Sequence, residues 1–163
     1  MALAWRAIAE QRIDDAVVHA ERAAELQPEE VESWHVLCRA RMAKGAWTEA
    51  HDAVLALRRL APDEPAALEL LGRTAVELGD RDQAHEAFSA LDGLQATLPG
   101  PRVGLALVAA RLDGDHAGAI THLEVALARD PALDLSALLL RPHWRPLADD
   151  AAFVEALSAL LQR

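Results

Sequence analysis

The chain has 163 residues and a formal net charge of −10, with 16 basic against 26 acidic side chains. This acidic balance disfavours nucleic acid and anionic membranes as partners, because both require a basic surface that displaces counterions. The composition is rich in Ala and Leu and contains no Tyr, which favours an all-α protein. At this length we expect a single domain.

Cysteine usage bears on the cellular compartment of the protein, and lysine usage bears on the kind of genome that encodes it. Cys38 is the only cysteine, so the chain cannot form an intramolecular disulfide. No run of 18 apolar residues appears, and the first ten residues lack the basic start and long apolar core of a signal peptide. Lys44 is the only lysine, a bias associated with GC-rich bacterial genomes. We predict a cytoplasmic bacterial protein without a membrane-spanning segment.

The first predicted hairpin, residues 2–28, is shorter at its start than those that follow. Leu3, Trp5 and Ile8 lie on its brief opening helix, and its second helix runs from Asp14 to Leu26. Two explanations stay open: the sequence is a piece of a longer chain, or the helix is naturally short and is covered by a partner or by a second copy.

The hairpin at residues 31–62 is the most regular. Apolar residues three and four positions apart form one stripe on each of its two helices, which are separated at Gly45 and end at Pro62. Each helix alone would leave its stripe in water, so the two are expected to fold onto each other. The stripes consist of Trp34, Leu37 and Cys38 on the first helix and Ala50, Val54 and Leu57 on the second.

This hairpin recurs with a period of 34 residues. Gly45 returns as Gly79 and, one residue late, as Gly114. The late return leaves the fourth hairpin with two registers, in which either Leu105–Ala106 or Ala106–Leu107 replaces Leu37–Cys38. The small residue five positions after the turn is Ala16, Ala50, Ala84 and Ala119. Four hairpins at a fixed period predict a solenoid, with hairpins at about 2–28, 31–62, 65–96 and 101–131.

The segment 134–163 differs from the repeats. A fifth hairpin begins at Asp134 and is broken by Pro142 and Pro146, both of which interrupt helices. Asp150 to Gln162 then shows helical spacing of apolar residues, with Asp149 or Asp150 as its cap. We predict an aborted hairpin followed by a capping helix, with Trp144 and Leu147 packed beneath it.

The period and the repeated residues resemble the tetratricopeptide repeat (TPR) family. The family pattern of Trp, Leu-Gly, Ala with an aromatic four residues later, and Pro is matched by Trp34, Leu37–Cys38, Ala50 with Val54, and Pro62. Departures are Cys38 and Ala4 in place of Gly, Ala96 in place of Pro, and Val54 in place of the aromatic residue, which is kept only as Phe88. The resemblance implies an α-solenoid of about four antiparallel helix-turn-helix hairpins in a right-handed superhelical stack, whose first helices line a concave groove.

The resemblance also implies which residues line this groove. In the second hairpin they are the residues one, five and eight after Trp34, namely His35, Arg39 and Met42. The equivalents elsewhere are Trp5 and Ile8 in the first hairpin and Glu69, Arg73 and Val76 in the third. In the fourth they are Gly104, Val108 and Arg111, within the one-residue uncertainty of its register. Arginines beside apolar anchors predict a protein or peptide partner with acidic and apolar groups. In the alternative, these arginines are paired with Glu69 and Glu77.

No residue pattern predicts catalysis, a metal or a cofactor. His35 and Cys38 have a spacing that could offer two metal ligands, but the repeat places Cys38 in the hairpin core and His35 on the inner surface. Glycine-rich phosphate loops, nucleophile elbows and HExxH helices are absent from the sequence. The sequence therefore predicts a non-catalytic protein-binding module that has no cofactor.

Two further functions stay open. The chain could be a structural protein that forms a homodimer through Leu3, Trp5 and Ile8 of its opening helix. It could also be a regulatory domain of a larger enzyme or signalling protein, a hypothesis motivated by the short first hairpin.

Overall fold

A computed structural model describes residues 1–162, and all regular structure in them is helical, which confirms the predicted all-α class. The α-helices are α1 (Ala2–Ala9), α2 (Ile13–Leu26), α3 (Val31–Lys44), α4 (Trp47–Leu60), α5 (Pro65–Leu78), α6 (Arg81–Leu94), α7 (Gly100–Val108), α8 (His116–Arg129) and α9 (Ala151–Leu161). A π-helical turn, Ala109–Asp113, continues α7, and two 3₁₀ segments, Leu138–Leu140 and Arg145–Asp149, precede α9.

The chain divides into two compact units. Unit 1 is Met1–Thr74, and unit 2 runs from Ala75 to the end of the described residues, so the boundary falls inside α5. We describe each unit by itself.

Unit 1 is built from the hairpins α1–α2 and α3–α4, with α2 packed on α3. Its core consists largely of alanines, and Ala16, Ala50 and Ala53 have no exposed surface. Small side chains at these positions let helix backbones approach closely, and the neighbouring Leu57 fills the remaining space. At the hairpin turns the chain is left-handed, with φ of 77° at Gly45 and 57° at Gln11.

Unit 2 contains α6 to α9 and the last four residues of α5, with α6 on α7, α7 on α8, and α8 on α9. Aspartates cap three of its helices by accepting a main-chain N–H three residues later. The Asp80 side chain accepts from Gln83 N at 3.1 Å, Asp115 accepts from Gly118 N at 2.8 Å, and Asp150 accepts from Phe153 N at 3.1 Å. Asp150, not Asp149, therefore caps α9.

The π-helical turn accommodates the residue that the fourth hairpin has in excess. In the third hairpin the N–H of Asp80 donates to the carbonyl of Ala75, five residues earlier. In the fourth, the N–H of Asp115 donates to the carbonyl of Ala109, six residues earlier. The extra residue therefore lies between Ala109 and Asp115, and residues up to Ala109 keep the 34-residue offset. Leu105–Ala106 is thus the correct equivalent of Leu71–Gly72.

The segment after α8 has little regular structure before α9. Turns and the two 3₁₀ segments replace the first helix of a fifth hairpin. Trp144 and Leu147 are buried, and the Trp144 ring lies 5.9 Å from the ring of Phe153 in α9. The predicted packing of Trp144 against the last helix is confirmed.

Candidate functional site

Four side chains from α1 and α3 form a cluster on the surface of unit 1, which we call the Trp5 cluster: Trp5, Glu32, His35 and Arg39. The indole N–H of Trp5 donates to Glu32 Oε1 at 2.8 Å, and this bond fixes the ring against α3. The His35 ring meets the Trp5 ring edge to face at 5.7 Å, and the Arg39 guanidinium lies 5.7 Å from the Trp5 ring centre. The fold therefore brings three of the predicted groove residues together.

The Arg39 guanidinium is exposed and makes no ion pair with any carboxylate of residues 1–162. Its observed neighbour is the face of Trp5, a cation–π contact that stabilises the position of the group by about 0.5–1 kcal/mol. Such a contact leaves the N–H donors of the guanidinium free to bind another acceptor. The Arg39 guanidinium is therefore held in place by Trp5, and its N–H groups can still donate to a ligand.

The other two predicted groove arginines are paired with carboxylates, as the alternative interpretation required. Arg73 donates to Glu69 one helical turn earlier, and Arg111 Nη1 lies 2.6 Å from Glu77 Oε1. Their charge is thus largely satisfied inside the chain.

Ile8, Met42 and His35 are half-buried, so each presents part of its surface to solvent. His35 Nδ1 lies 3.5 Å from Glu32 Oε2, while its Nε2 is buried without a hydrogen-bond partner among the described residues. The surface around the Trp5 cluster therefore combines apolar area with one cation.

The sequence analysis missed Glu32, which orients Trp5. The two residues are 27 positions apart, and no local pattern connects them. Only the 34-residue repeat, which places α1 beside α3, provides a signal that residues near Trp5 and Glu32 meet.

Two predicted groove residues are buried. Val76 and Val108 are each 1% exposed and offer no surface to a partner in this conformation. For Val108, and for Gly104, the cause is the register. With the 34-residue offset, Val108 is equivalent to Thr74 and Ala40, which are fully buried, and the fourth-hairpin equivalents of His35 and Arg39 are Val103 and Leu107.

Unit 1 also has a cavity of about 500 Å³ on the α2–α3 side, near Trp34 and Arg41. Its charged groups are already paired. Arg41 bonds to Glu21 at 3.1 Å and to the carbonyl of Glu49 at 3.0 Å, and the Trp34 indole donates to the carbonyl of Pro28. This cavity therefore presents no unsatisfied group that would select a ligand.

Cys38 is fully buried, and burial raises the pKa of its thiol to about 12. A thiol of this kind supplies neither a nucleophile nor a metal ligand at neutral pH. Within residues 1–162, no three His, Cys, Asp or Glu side chains are grouped so that they could hold a metal ion. None of the described helices combines the length and hydropathy needed to cross a bilayer. The cytoplasmic location stays a prediction.

Comparison with known proteins agrees with this architecture. A tetratricopeptide repeat family model matches residues 7–74. No curated protein sequence matches the chain. Among solved structures, the crystal structure of MamA protein has a TM-score of 0.75 at 17% identity, over 99% of this chain and 88% of that chain.

Two other solved structures are similar to the same extent. MamA from Desulfovibrio magneticus RS-1 has a TM-score of 0.76 at 14% identity, over 99% of this chain and 90% of that chain. The thermophilic TPR protein TTC0263 of Thermus thermophilus has a TM-score of 0.74 at 20% identity, over 98% of this chain and 84% of that chain. At these identities the likeness concerns the fold. Residues 7–74 therefore belong to the tetratricopeptide repeat family, and the chain as a whole has the fold of TPR proteins.

Proposed function

We propose that this chain is a non-catalytic protein interaction module that binds a peptide or helix with acidic and apolar groups on the α1–α3 surface of unit 1. The observation that carries the proposal is the exposed Arg39 guanidinium, which is stacked on Trp5 and has no carboxylate partner in the described chain. A TPR fold is typical of interaction and scaffold proteins, which is consistent with this assignment.

The chemistry of the Trp5 cluster favours a carboxylate ligand. A guanidinium binds a carboxylate through two parallel N–H donors, and such charge-assisted bonds contribute about 1.5–3 kcal/mol. The exposed parts of Trp5, Ile8 and Met42 would then bury the apolar neighbours of that carboxylate.

The net charge of the chain limits which acidic peptides can bind. With a net charge of −10, the chain as a whole repels acidic peptides. An acidic peptide that binds therefore does so through a local contact and not through the electrostatic field of the whole chain. We expect affinity to depend on one carboxylate at a defined spacing from an apolar residue, and not on the number of acidic residues in the peptide.

The proposal can be tested with a displayed library of random peptides selected on the immobilised chain. The enriched peptides are expected to contain Asp or Glu near a large apolar residue. A fluorescein-labelled synthetic copy of the strongest binder then gives Kd by anisotropy for wild type, Arg39→Glu and Arg59→Glu. Arg59 is an exposed arginine on α4 of the same unit and serves as the matched control, because both variants change the net charge equally.

We expect Arg39→Glu to weaken binding by about 10- to 100-fold, the equivalent of one charge-assisted hydrogen-bonded pair. Arg59→Glu should stay within about twofold of wild type, a difference of about 0.4 kcal/mol. Equal loss in both variants would show a field effect and not a site. Enriched peptides without carboxylates would also refute the proposal.

Self-association through α1 is the second candidate, and one observation favours it. Of the three residues predicted for this interface, Leu3 is the most available, because it is 61% exposed on α1. The Trp5 indole is bound to Glu32, and Ile8 is half-buried. Light scattering on wild type and on Leu3→Glu decides between the candidates. A wild-type monomer removes self-association, whereas a dimer that Leu3→Glu dissociates supports it.

A further inference from the structure

Two arginines in the segment between α8 and α9 have no carboxylate partner. Arg141 and Arg145 are exposed, and neither makes an ion pair with a carboxylate of the described residues. Asp134 lies within electrostatic range of Arg141, but it accepts instead from the main-chain N–H of Ser136 at 2.9 Å and from the Ser136 hydroxyl. Asp149, four residues after Arg145, forms no ion pair with it. Both guanidinium groups therefore keep their N–H donors for a ligand.

Arg141 and Arg145 lie one turn apart. The N–H of Arg145 donates to the carbonyl of Arg141 at 3.0 Å, which closes a turn of helical type. Like charges at this spacing repel each other, whereas opposite charges attract. On α1 the same spacing is occupied by an opposite pair, in which Arg6 Nε lies 2.7 Å from Glu10 Oε1. The chain itself thus offers nothing that offsets the repulsion between the two arginines.

The residue before Arg141 is apolar and fully presented to solvent. Leu140 is 84% exposed, more than any other large apolar side chain of the described residues. A single exposed leucine is common on protein surfaces, but this one adjoins two unpaired cations. The buried Trp144, inside the same turn, holds the turn against α9. A ligand therefore meets a surface that is already ordered, which lowers the entropic cost of binding. We call Leu140, Arg141 and Arg145 the basic patch.

The loop between α2 and α3 presents the complementary combination. Leu26 is 64% exposed at the end of α2, and the exposed Glu29 and Glu30 make no ion pair with the described residues. This loop is also a turn, in which the N–H of Glu30 donates to the carbonyl of Gln27 at 3.1 Å. The Glu30 side chain makes no capping hydrogen bond to α3. We call Leu26, Glu29 and Glu30 the acidic patch. Like the basic patch, it combines one exposed leucine with two unpaired charges on a turn.

The equivalent loop one repeat later lacks this combination. Asp63 and Glu64 repeat the two charges, but Leu60, at the position of the exposed leucine, is half-buried. Arg58 Nη2 also lies 3.4 Å from the carbonyl of Pro62, which brings a cation to this loop. The second loop therefore has the charges of the acidic patch without its apolar contact surface, and it serves as a matched control.

We propose that the basic patch of one copy of this chain binds the acidic patch of a second copy. Each unpaired charge then gains an opposite charge, and the two exposed leucines cover each other. The second copy is the partner because one chain offers both patches, with matching numbers of opposite charges. Since the two surfaces differ, the contact is head-to-tail, and the assembly either extends beyond a dimer or closes into a ring. No residue of the Trp5 cluster is used, so this proposal and the proposed function can fail separately.

The net charge of the chain opposes this contact, and salt separates the two effects. Two copies with a net charge of −10 each repel one another as a whole. At an ionic strength of about 0.15 M the Debye length is about 8 Å, so most of this repulsion is screened while charges in direct contact still attract. At about 1 M the Debye length is about 3 Å, and the contact pairs weaken too. We therefore expect association at physiological salt that decreases at high salt.

Sedimentation velocity over a concentration series tests the proposal by charge reversal. Arg141→Glu/Arg145→Glu leaves a chain with two acidic patches, and Glu29→Arg/Glu30→Arg leaves a chain with two basic patches. Each variant alone should raise the dissociation constant at least about tenfold, because two attractive pairs become repulsive. An equimolar mixture of the two variants should associate as wild type does, since each reversed patch then meets an opposite charge. All four residues are exposed, and circular dichroism confirms that the variants fold.

Three control variants separate the patches from other causes. Asp63→Arg/Glu64→Arg changes the net charge as much as the reversal of the acidic patch does, and it should associate at least as strongly as wild type. Arg59→Glu/Arg81→Glu reverses two exposed arginines elsewhere and should also associate. Leu3→Glu should leave the association unchanged, which distinguishes this contact from one through α1.

A disulfide between copies locates the contact. Leu26→Cys and Leu140→Cys are prepared separately with different tags, mixed and oxidised, and the buried Cys38 takes no part. We expect a cross-linked heterodimer in this mixture. Leu55→Cys, which replaces another exposed leucine of unit 1, should give far less of it when it is mixed with Leu140→Cys.

Wild type that stays monomeric at physiological salt up to millimolar concentration would overturn the proposal. A mixture of the two charge-reversed variants that stays monomeric would also overturn it, as would an equal loss of association in Asp63→Arg/Glu64→Arg or an association that only Leu3→Glu abolishes. A monomeric wild type that binds a polyglutamate peptide through Arg141 and Arg145 would show that the basic patch serves a different acidic protein, and would refute the contact between copies.

Discussion

Gly104 of α7 packs against the aromatic ring of Phe88 of α6, and a Cβ added at Gly104 would overlap that ring. Phe88 is itself buried, so the ring cannot move into solvent. We expect Gly104→Ala to lower the free energy of unfolding by about 1–3 kcal/mol through overpacking. Thermal or chemical denaturation measures this effect.

Gly93 on α6 provides the matched control for Gly104. Nothing lies within 4 Å of a Cβ added there. Gly93→Ala should leave stability unchanged or raise it by up to about 1 kcal/mol, because alanine restricts the unfolded chain. If Gly104→Ala proved as stable as Gly93→Ala, the close approach of α7 to Phe88 would be wrong.

The hairpin cores give a second prediction. Ala50 is fully buried in α4, which packs on α3, and Ala84 on α6 is equally buried. Leucine at either position adds three methylene-sized groups to a filled space and should cost about 1–3 kcal/mol. Ala43→Leu, on the exposed side of α3, should change stability by less than about 0.5 kcal/mol. Wild-type melting of Ala50→Leu and Ala84→Leu would contradict the hairpin register.

These packing relationships were predictable because they repeat. A period of 34 residues places Ala16, Ala50 and Ala84 at the same point of each hairpin, and all three are fully buried. The resemblance to the TPR family implies which residues of α1 and α3 share a surface, and Trp5, His35 and Arg39 do meet there. A pattern that occurs several times constrains both fold and register.

The features that occur once could not be predicted. The extra residue of the fourth hairpin is visible in the sequence, but its position is fixed only by the bond from Asp115 N to the Ala109 carbonyl, so Val108 was assigned to the wrong face. Likewise, His143 binds Glu77 across 66 positions, and no local spacing predicts a contact over that distance. Val76 is buried, whereas its equivalent in the second hairpin, Met42, is half-buried, so the repeat does not predict this burial.

The first turn gives a third prediction. Gln11 has φ of 57°, whereas the equivalent turns have glycine, with φ of 77° at Gly45 and Gly79. A left-handed conformation costs a residue with a Cβ about 1–2 kcal/mol. Gln11→Gly should therefore raise stability by up to about 1 kcal/mol, and Gly45→Gln should lower it by a similar amount. Denaturation midpoints that move in the same direction for both variants would contradict this conformation.

Cys38 gives a fourth prediction. Because burial raises the pKa of its thiol to about 12, the thiolate that reacts with disulfide reagents is scarce at neutral pH, and the sulfur is also inaccessible. The native chain should show no fast-reacting thiol, and the same chain in guanidinium chloride should show one. Ala43→Cys places a thiol on the exposed side of the same helix and should react at once. Rapid labelling of native Cys38 would show that unit 1 opens locally or that the helix is rotated.

The network around Glu77 gives a prediction about acid. Burial alone would raise the pKa of the Glu77 carboxyl, but hydrogen bonds from His143 and Arg111 outweigh it and hold the pKa below the usual 4.5. The unfolded chain therefore binds a proton at a higher pH than the folded chain does. The stability that Glu77 contributes is fully present above pH 4.5 and is lost as the pH falls through the lowered folded value.

Glu77→Gln removes the charge and keeps the shape of the side chain. We expect it to lower stability at neutral pH by about 1–3 kcal/mol, because Arg111 and His143 lose a charged acceptor. As the pH falls below 4.5 the variant and wild type should converge, since the wild-type carboxyl then becomes protonated as well. Glu86→Gln, on the exposed side of α6, should follow wild type throughout. Parallel stability curves for wild type and Glu77→Gln from neutral pH into acid would show that the pKa of Glu77 does not change on folding.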